Sequence, residues 1–559
     1  MSLNRAPRTR DADCKLRIEL HGRVQGIGYR PALARLAVSL NLSGSVANTT
    51  AGILIEIAGD IVAAEEFLSR CAQVCPAEGV IEGRWVEPSS ADISPGFRII
   101  DGPRSGPLST PVPLDRVVCS ECLHEFRSAS DRRFAYPLIS CSRCGPRYSI
   151  LANMPYERHQ TAMHGYSFCE RCQGEYQSPN DRRFHAQVIG CHDCGPQVEG
   201  LNAAIAALHA NQVVALKGVG GYQFLTRAAS SIAIAQLRRI KQRPAKPFAI
   251  MVEDLEQASL FGQVDEVAIG QLTSWACPIV IVPQWSDGRQ PTDILNPGLH
   301  SIGLMLPTTA LHAFLVQTVG PLVVTSANIE GDPLYYRDAD WPSELQQSMP
   351  TIVTHDRAIY RPIDDSVVRV MAGQATTIRA ARGMAPMWLE LGALAQGKQV
   401  LAVGGEQKVA VALCNGQQAI LGPHLGDMNS AAARQYFSEQ VPQLLQLYGC
   451  RPTVIVHDAH PDFFTTRWAQ QFSRDEAIPA IRIQHHVAHA ASSLIEPGWL
   501  QDDAAIVTWD GSGLGEDGTI WGGEGFLYRR STYQRVCRLQ PFLLPGGEAA
   551  IRQPWRVAA

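Results

Sequence analysis

The feature that most constrains this chain is a duplicated cysteine pattern. Cys119-x2-Cys122 is followed after 18 residues by Cys141-x2-Cys144, and fifty residues on the pattern returns as Cys169-x2-Cys172 and Cys191-x2-Cys194. The intervening residues repeat as well. Asp131-Arg132-Arg133-Phe134 returns as Asp181-Arg182-Arg183-Phe184, and Cys144-Gly145-Pro146 as Cys194-Gly195-Pro196. A fixed period of this kind marks the internal duplication of one structural unit. Two thiolates separated by two residues can grip one tetrahedral ion from a single turn, and a second pair completes the shell. The expectation is two structural zinc ions, each in a closed four-cysteine shell with no position left for water. Disulfides are the first competing reading. Fifteen cysteines in a chain of this size without a secretion signal argue for metal instead, and CxxC pairs close very short loops. A nucleic-acid-binding ribbon is the second. Nine arginines, no lysines and eight acids between Cys119 and Cys194 are near balance, not a basic footprint.

At 559 residues the chain has room for roughly three to five domains. With 45% hydrophobic and 18% charged residues it reads as globular. A formal net charge of −4 gives no global basic field, so a nucleic-acid partner is not expected. No apolar run is long enough to span a bilayer, and the N-terminal stretch has arginines but no apolar h-region. A cytoplasmic protein without membrane association is expected.

Residues 13–104 carry the first unit. Leu16–Gly22 alternates as a strand. The loop Val24, Gln25, Gly26, Ile27, Gly28 and Tyr29 leads to Arg30, and residues 31–40 have helical spacing with Pro31 suited to the first position. A glycine-containing loop at a helix N-terminus gathers backbone N–H groups around an anion, and Arg30 adds a planar fork that fits a phosphate. Strands over 43–50 and 53–59, a helix over 61–75 and a final strand pair complete a split βαβ, ferredoxin-like order. This loop resembles that of the acylphosphatases almost residue for residue. The resemblance implies that the loop cradles the phosphate, Arg30 binds it, and Asn48 positions the attacking water. Read alone, Asn48 is a turn-forming asparagine. A mixed anhydride is already reactive, so charge stabilisation and a placed water can suffice.

Residues 105–197 hold the zinc modules, and residues 200–388 a third unit. A helix over 203–211 and a buried strand over 213–217 begin an alternation that predicts an α/β domain with a mixed sheet. Lys241, Arg243 and Lys246, interleaved with two prolines, suit a triphosphate; a solvated loop is the plain alternative. With Lys217 and Thr325-Ser326-Ala327-Asn328, this unit resembles the YrdC/Sua5 family, which uses ATP to make a carbamoyl-type adenylate. The resemblance implies that Lys217, Lys241, Arg243 and Lys246 contact phosphates or carbamate, and that Thr325, Ser326, Asn328 and Arg382 line the nucleotide site.

Residues 398–559 form the last unit. Residues 400–408 and 506–515 each read as a strand running into a glycine turn, as in actin-like ATPase folds. His485 and His489 fall at i and i+4 on one helical face, a chelating spacing, with Asp510 as a third ligand. This segment resembles the transferases that make threonylcarbamoyl-adenosine, implying a divalent metal on those three residues, with iron a candidate. It is expected to be one lobe of a two-lobed fold, shortened at the C-terminus.

The order of the units resembles the hydrogenase maturation carbamoyltransferase family HypF, and the fold expected is multidomain α+β and α/β. That resemblance implies hydrolysis of carbamoyl phosphate, formation of carbamoyl-AMP from ATP with Mg, and transfer of the carbamoyl group to the C-terminal cysteine of HypE for cyanide ligand synthesis. A tRNA threonylcarbamoyl-adenosine-type enzyme and a zinc-based adaptor with inactive enzymatic units are the competing readings. The zinc modules are expected to act as a rigid connector.

Overall fold

The computed structural model describes residues 13–104, 106–285, 294–349, 351–389, 391–530 and 532–558. The described chain divides into two compact units, one up to Trp388 together with 420–450, the other 389–419 together with 451 onward.

The first unit opens with β1 (Asp13–Arg23), β2 (Ser43–Asn48), β3 (Gly52–Asp60), β4 (Val80–Pro88) and β5 (Phe97–Ile100), in the sheet order β4-β1-β3-β2-β5. Alternation sets the register: Ile18 lies opposite Ile55 and Leu20 opposite Ile53, all buried. Leu33 and Leu36 of one helix and Phe67 of another close over this apolar face. The first helix spans Tyr29–Ser39 and starts two residues earlier than its proline suggests, because Gly28 caps it at φ +85°. Pro31 is tolerated there because N–H groups of a first turn have no intrahelical acceptor. The second helix stops at Arg70, and the chain turns through 71–75 instead of continuing helical. The last two strands do not pair; β4 joins β1 at one edge and β5 joins β2 in parallel at the other.

In the duplicated segment each first CxxC opens a short helix, Ser120–Arg127 or Glu170–Gln177, with Cys119 or Cys169 at the N-cap. The second CxxC of each module lies in a loop.

A mixed sheet follows. Its strands are β6 (Val198–Glu199), β7 (Val214–Lys217), β8 (Tyr222–Arg227), β9 (Ala249–Met251), β10 (Ile279–Pro283), β11 (Ser301–Met305), β12 (Leu322–Ser326), β13 (Ile352–His355), β14 (Val367–Met371) and β15 (Gln374–Arg379). Their order is β15-β14-β10-β11-β9-β12-β8-β7-β13-β6. β7 is buried along its whole length, as an uninterrupted apolar run requires of a strand covered on both faces. Pairing of Lys217 with Tyr222 and of Ser326 with Gln223 puts the C-terminal ends of β7 and β12 at the same end of the sheet.

In the second unit, strand Gln399–Ala402 pairs antiparallel with Ala412–Asn415 and parallel with Val454–Asp458, which is parallel to Ala480–Ile483. A three-stranded sheet of Ala504–Leu514, Ile520–Arg529 and Thr532–Arg538 packs under helix His485–Ile495 through Ala490, Leu494, Ile506 and Phe526. The Gly511–Gly513 stretch is not the turn expected from its glycines. It continues the strand with a register shift between Trp509 and Gly513, and the hairpin turns beyond it at 515–519. Among the described residues no helix is long and apolar enough to cross a membrane.

Candidate functional site

The cysteines gather as their spacing predicts. In the first module Cys119 Sγ lies 3.8 Å from Cys141 Sγ, Cys141 3.7 Å from Cys144, and Cys144 3.6 Å from Cys122. In the second, Cys191 lies 3.7 Å from Cys169 and 3.8 Å from Cys194. A tetrahedron built on Zn–S bonds of about 2.3 Å has edges of about 3.8 Å. None of the eight is in a disulfide, so two four-cysteine clusters fit two zinc ions.

The repeated Asp-Arg-Arg-Phe has a role that spacing alone did not disclose. Arg132 of the first module donates to Cys172 Sγ of the second at 2.9 Å, while Arg182 of the second donates to Cys122 Sγ of the first at 3.2 Å. Arg133 pairs with Glu175 and reaches Gly190 O; Arg183 pairs with Glu125 and reaches Ser140 O. Each module thus places two guanidinium groups on the other's metal shell. A zinc bound by four thiolates carries net negative charge, which those groups offset.

The predicted phosphate loop borders a cleft. Gly26 and Gly28 have φ of +71° and +85°, which only glycine adopts without strain. Val24 and Ile27 turn into the core, and the Tyr29 hydroxyl donates to Cys71 O. The loop therefore offers its backbone, at a helix N-terminus, to the cleft. Gln25 braces the neighbouring turn through Thr49 O and Gly52 O, at 2.7 Å each. Arg30 and Asn48 line the same cleft, both buried. Asn48 Nδ2 donates to Tyr156 O at 2.9 Å, whereas its Oδ1 has no partner among the described residues. The opposite wall comes from the zinc segment: Ser142, Arg147, Tyr156, His185 and Gln187. Arg147 joins the two by donating to Gly26 O at 2.9 Å and to Cys144 O at 2.8 Å. The zinc segment thus forms one wall of this cleft.

In the third unit the structure brings together Lys241, Ser326 and Asn328. Lys241 Nζ donates to Ser326 O at 2.6 Å, Asn328 Oδ1 at 2.7 Å and Asn328 O at 3.0 Å, and Ser326 Oγ donates to Asn328 Oδ1. All three ammonium hydrogens are engaged, so Lys241 fixes the Ser326–Asn328 turn. Burial, reinforced by Arg243, pushes its pKa down to about 7. Arg243 folds back on Pro247 O and lies over the Phe248 ring, and burial lowers it to about 10. Lys246 is exposed, 3.9 Å from Glu330. Thr325, in β12, lies opposite Phe224. Lys217 is buried at the end of β7 and pairs with Asp338 at 2.6 Å. Arg382 is not free to meet a nucleotide. It is buried, paired with Asp365 at 2.7 Å, and donates to Ala276 O and Cys277 O. Asp365 also accepts from Gln223, whose Oε1 lies 2.9 Å from His312.

In the second unit, His485 Nε2, His489 Nε2 and Asp510 Oδ2 lie 3.0 to 3.7 Å apart. Two imidazoles and a carboxylate on one face suit a divalent transition metal with open positions. Asp458, unmarked in the sequence, accepts from His485 Nδ1 at 2.7 Å and turns Nε2 toward the other two groups. The hydrogen bond to Asp458 raises the pKa of His485. His486 faces away, its Nε2 on Gly522 O.

Family comparisons follow the same order. Residues 16–99 match the acylphosphatase model, 118–151 and 168–199 the HypF finger, and 206–381 the Sua5, YciO and YrdC family described as telomere recombination. Residues 395–496 match the HypF Kae1-like domain and 506–559 the second subdomain of the carbamoyltransferase Kae1-like domain. Carbamoyltransferase HypF of Synechocystis is 40% identical over 97% of this chain and 72% of its own length. Carbamoyltransferase HypF2 of Cupriavidus necator is 39% identical over 99% and 72%. A crystal structure of full-length HypF in a phosphate- and nucleotide-bound form superposes with a TM-score of 0.92 at 32% identity, covering 98% of this chain and 73% of that one. The chain is an enzyme of the carbamoyltransferase HypF family.

Proposed function

We propose that the chain moves the carbamoyl group of carbamoyl phosphate to a protein thiol in hydrogenase maturation, using four segments: 13–104, 105–197, 200–388 and 398–559. In the first step backbone N–H groups of residues 24–29 and the Arg30 guanidinium hold the phosphoryl group. Asn48 places a water that attacks phosphorus, the bridging P–O bond breaks, and phosphate and carbamate leave. In the second a carbamate oxygen attacks the α-phosphorus of ATP bound with Mg, releasing pyrophosphate and leaving carbamoyl-AMP. Lys217, Arg243 and Lys246 supply positive charge there. Lys241 holds Ser326 and Asn328 in place, with Thr325 beside them and Arg382 as internal support. In the third the C-terminal cysteine thiolate of HypE takes the carbamoyl group and AMP leaves. His485, His489 and Asp510 would hold a divalent metal, iron being a candidate, which supplies Lewis acidity when bound. The reactions belong to the cytoplasm, without nucleic-acid or membrane partners.

The observation that carries this reading is the buried Oδ1 of Asn48, which has no partner among the described residues, in a cleft shared with Arg30 and the glycine loop. An acceptor left unpaired at that depth is costly unless a water or substrate hydrogen meets it. The test is ATP–pyrophosphate exchange. Stimulation by carbamoyl phosphate supports the reading; dependence on threonine and bicarbonate overturns it in favour of a threonylcarbamoyl enzyme.

A further inference from the structure

Arg30 does not reach the cleft as a free cation. Its Nη1 pairs with Glu157 Oε1, and its Nη2 lies 3.2 Å from Glu157 Oε2 and 3.3 Å from Tyr156 O. Arginine and glutamate are both buried. Glu157 belongs to the linker between the two zinc modules, 127 residues along the chain from Arg30. Its neighbour Tyr156 is anchored on both sides of the peptide: Tyr156 O accepts from Asn48 Nδ2 at 2.9 Å, and Tyr156 N donates to Gln25 Oε1 at 3.0 Å. One short stretch of zinc-segment backbone therefore orients Arg30, Asn48 and the phosphate loop together.

We infer that Glu157 is a positioning residue of the phosphate cleft, which aims Arg30 and weakens the hold of that cleft on released phosphate. This rests on the reading of the cleft as the acyl phosphate site. The carboxylate grips the Nη end of the guanidinium, and the Nε edge makes no hydrogen bond to any described residue. A guanidinium held at one end and open along another edge is preorganised for an oxyanion without losing side-chain entropy on binding. The same carboxylate offsets part of the positive charge that the anionic product meets. Burial pushes the Glu157 carboxyl up, and Arg30 pulls it back. A site that must release one anion before binding the next gains turnover from weaker product binding. A second consequence is that the zinc segment supplies part of the phosphate site, so the site is complete only when that segment is folded against it.

The experiment compares Glu157→Gln, Glu157→Ala and Arg30→Ala in the full zinc-loaded chain. It measures phosphate release from carbamoyl phosphate and its inhibition by inorganic phosphate. Glu157→Gln keeps the shape and removes the charge, so inhibition by phosphate should tighten about tenfold while kcat falls. Glu157→Ala frees the guanidinium, and kcat should fall about 100-fold with zinc content unchanged at two per chain. A merely damaged cleft weakens phosphate binding; unchanged or weaker inhibition in Glu157→Gln overturns the inference. If the alanine variant loses zinc, the glutamine variant alone decides. Retained phosphate release in Arg30→Ala would sink the reading of the site itself. Its loss there, with Glu157→Gln behaving as wild type, would sink only the role of Glu157.

Discussion

Single residues carry the coupling between the two metal shells. Arg132 and Arg182 donate to thiolates they do not share a module with, and a charge-assisted hydrogen bond contributes about 1.5–3 kcal/mol. Removing one should therefore weaken zinc binding at the opposite site by about tenfold or more. The expected result for Arg182→Gln is faster loss of one zinc to a chromogenic chelator, with the Cys119 cluster emptied first. If both zincs leave at the wild-type rate, the guanidinium contacts are incidental. Lys241 offers a second residue-level test. Burial lowers its folded pKa to about 7, well below the unfolded value of about 10.4. The unfolded chain then binds more protons between those values, so stability rises with pH across that window, by at most about 1.4 kcal/mol per unit. Measured by denaturant unfolding against Lys241→Gln, the wild type should gain relative stability from pH 7 toward 10. A flat difference would show that its three oxygen acceptors keep it protonated.

At the scale of elements, the zinc loops are structural parts of a site they do not belong to by sequence. The loop at 141–147 braces Gly26 through Arg147, and the linker at 156–157 braces Arg30 and Asn48. Cys141→Ser should therefore cost one zinc and also most of the phosphate release, read by metal analysis and by phosphate assay on the same preparation. Zinc loss with full phosphate release would return the modules to a connecting role. The cysteine clusters were legible because CxxC spacing is a local property. The glycine loop that borders the cleft was legible as a loop because its glycines and Arg30 sit between one strand and one helix. Glu157, Arg147 and Asp458 were not, since each acts on a residue more than 25 positions away and nothing in its own neighbourhood marks it. Arg382 misled for a related reason. An arginine near a segment expected to bind nucleotide reads as a ligand, and only the Asp365, Ala276 and Cys277 acceptors show it engaged with the fold. The glycines at 511–513 misled too, because a bulge inside a strand and a turn after it share a composition.

At the scale of the whole molecule, the three proposed reactions use different residues and so can be switched off one at a time. Carbamate decomposes quickly in water, and one chain holding both its formation and its use raises its effective concentration. His489→Ala removes one of the three groups around the candidate divalent site and leaves both cysteine clusters intact. It should retain zinc, phosphate release and carbamoyl phosphate-stimulated pyrophosphate exchange, while labelled carbamoyl no longer reaches HypE. Arg30→Ala is the complementary case. It should lose phosphate release and, with carbamoyl phosphate as donor, pyrophosphate exchange as well. Ammonium bicarbonate at high concentration supplies carbamate in equilibrium, bypassing the first step. Exchange should then recover in Arg30→Ala, but not in a variant disabled at Lys217. Recovery in both, or in neither, would show that the two steps are not ordered through carbamate, because only a shared intermediate lets an outside supply replace one site and not the other.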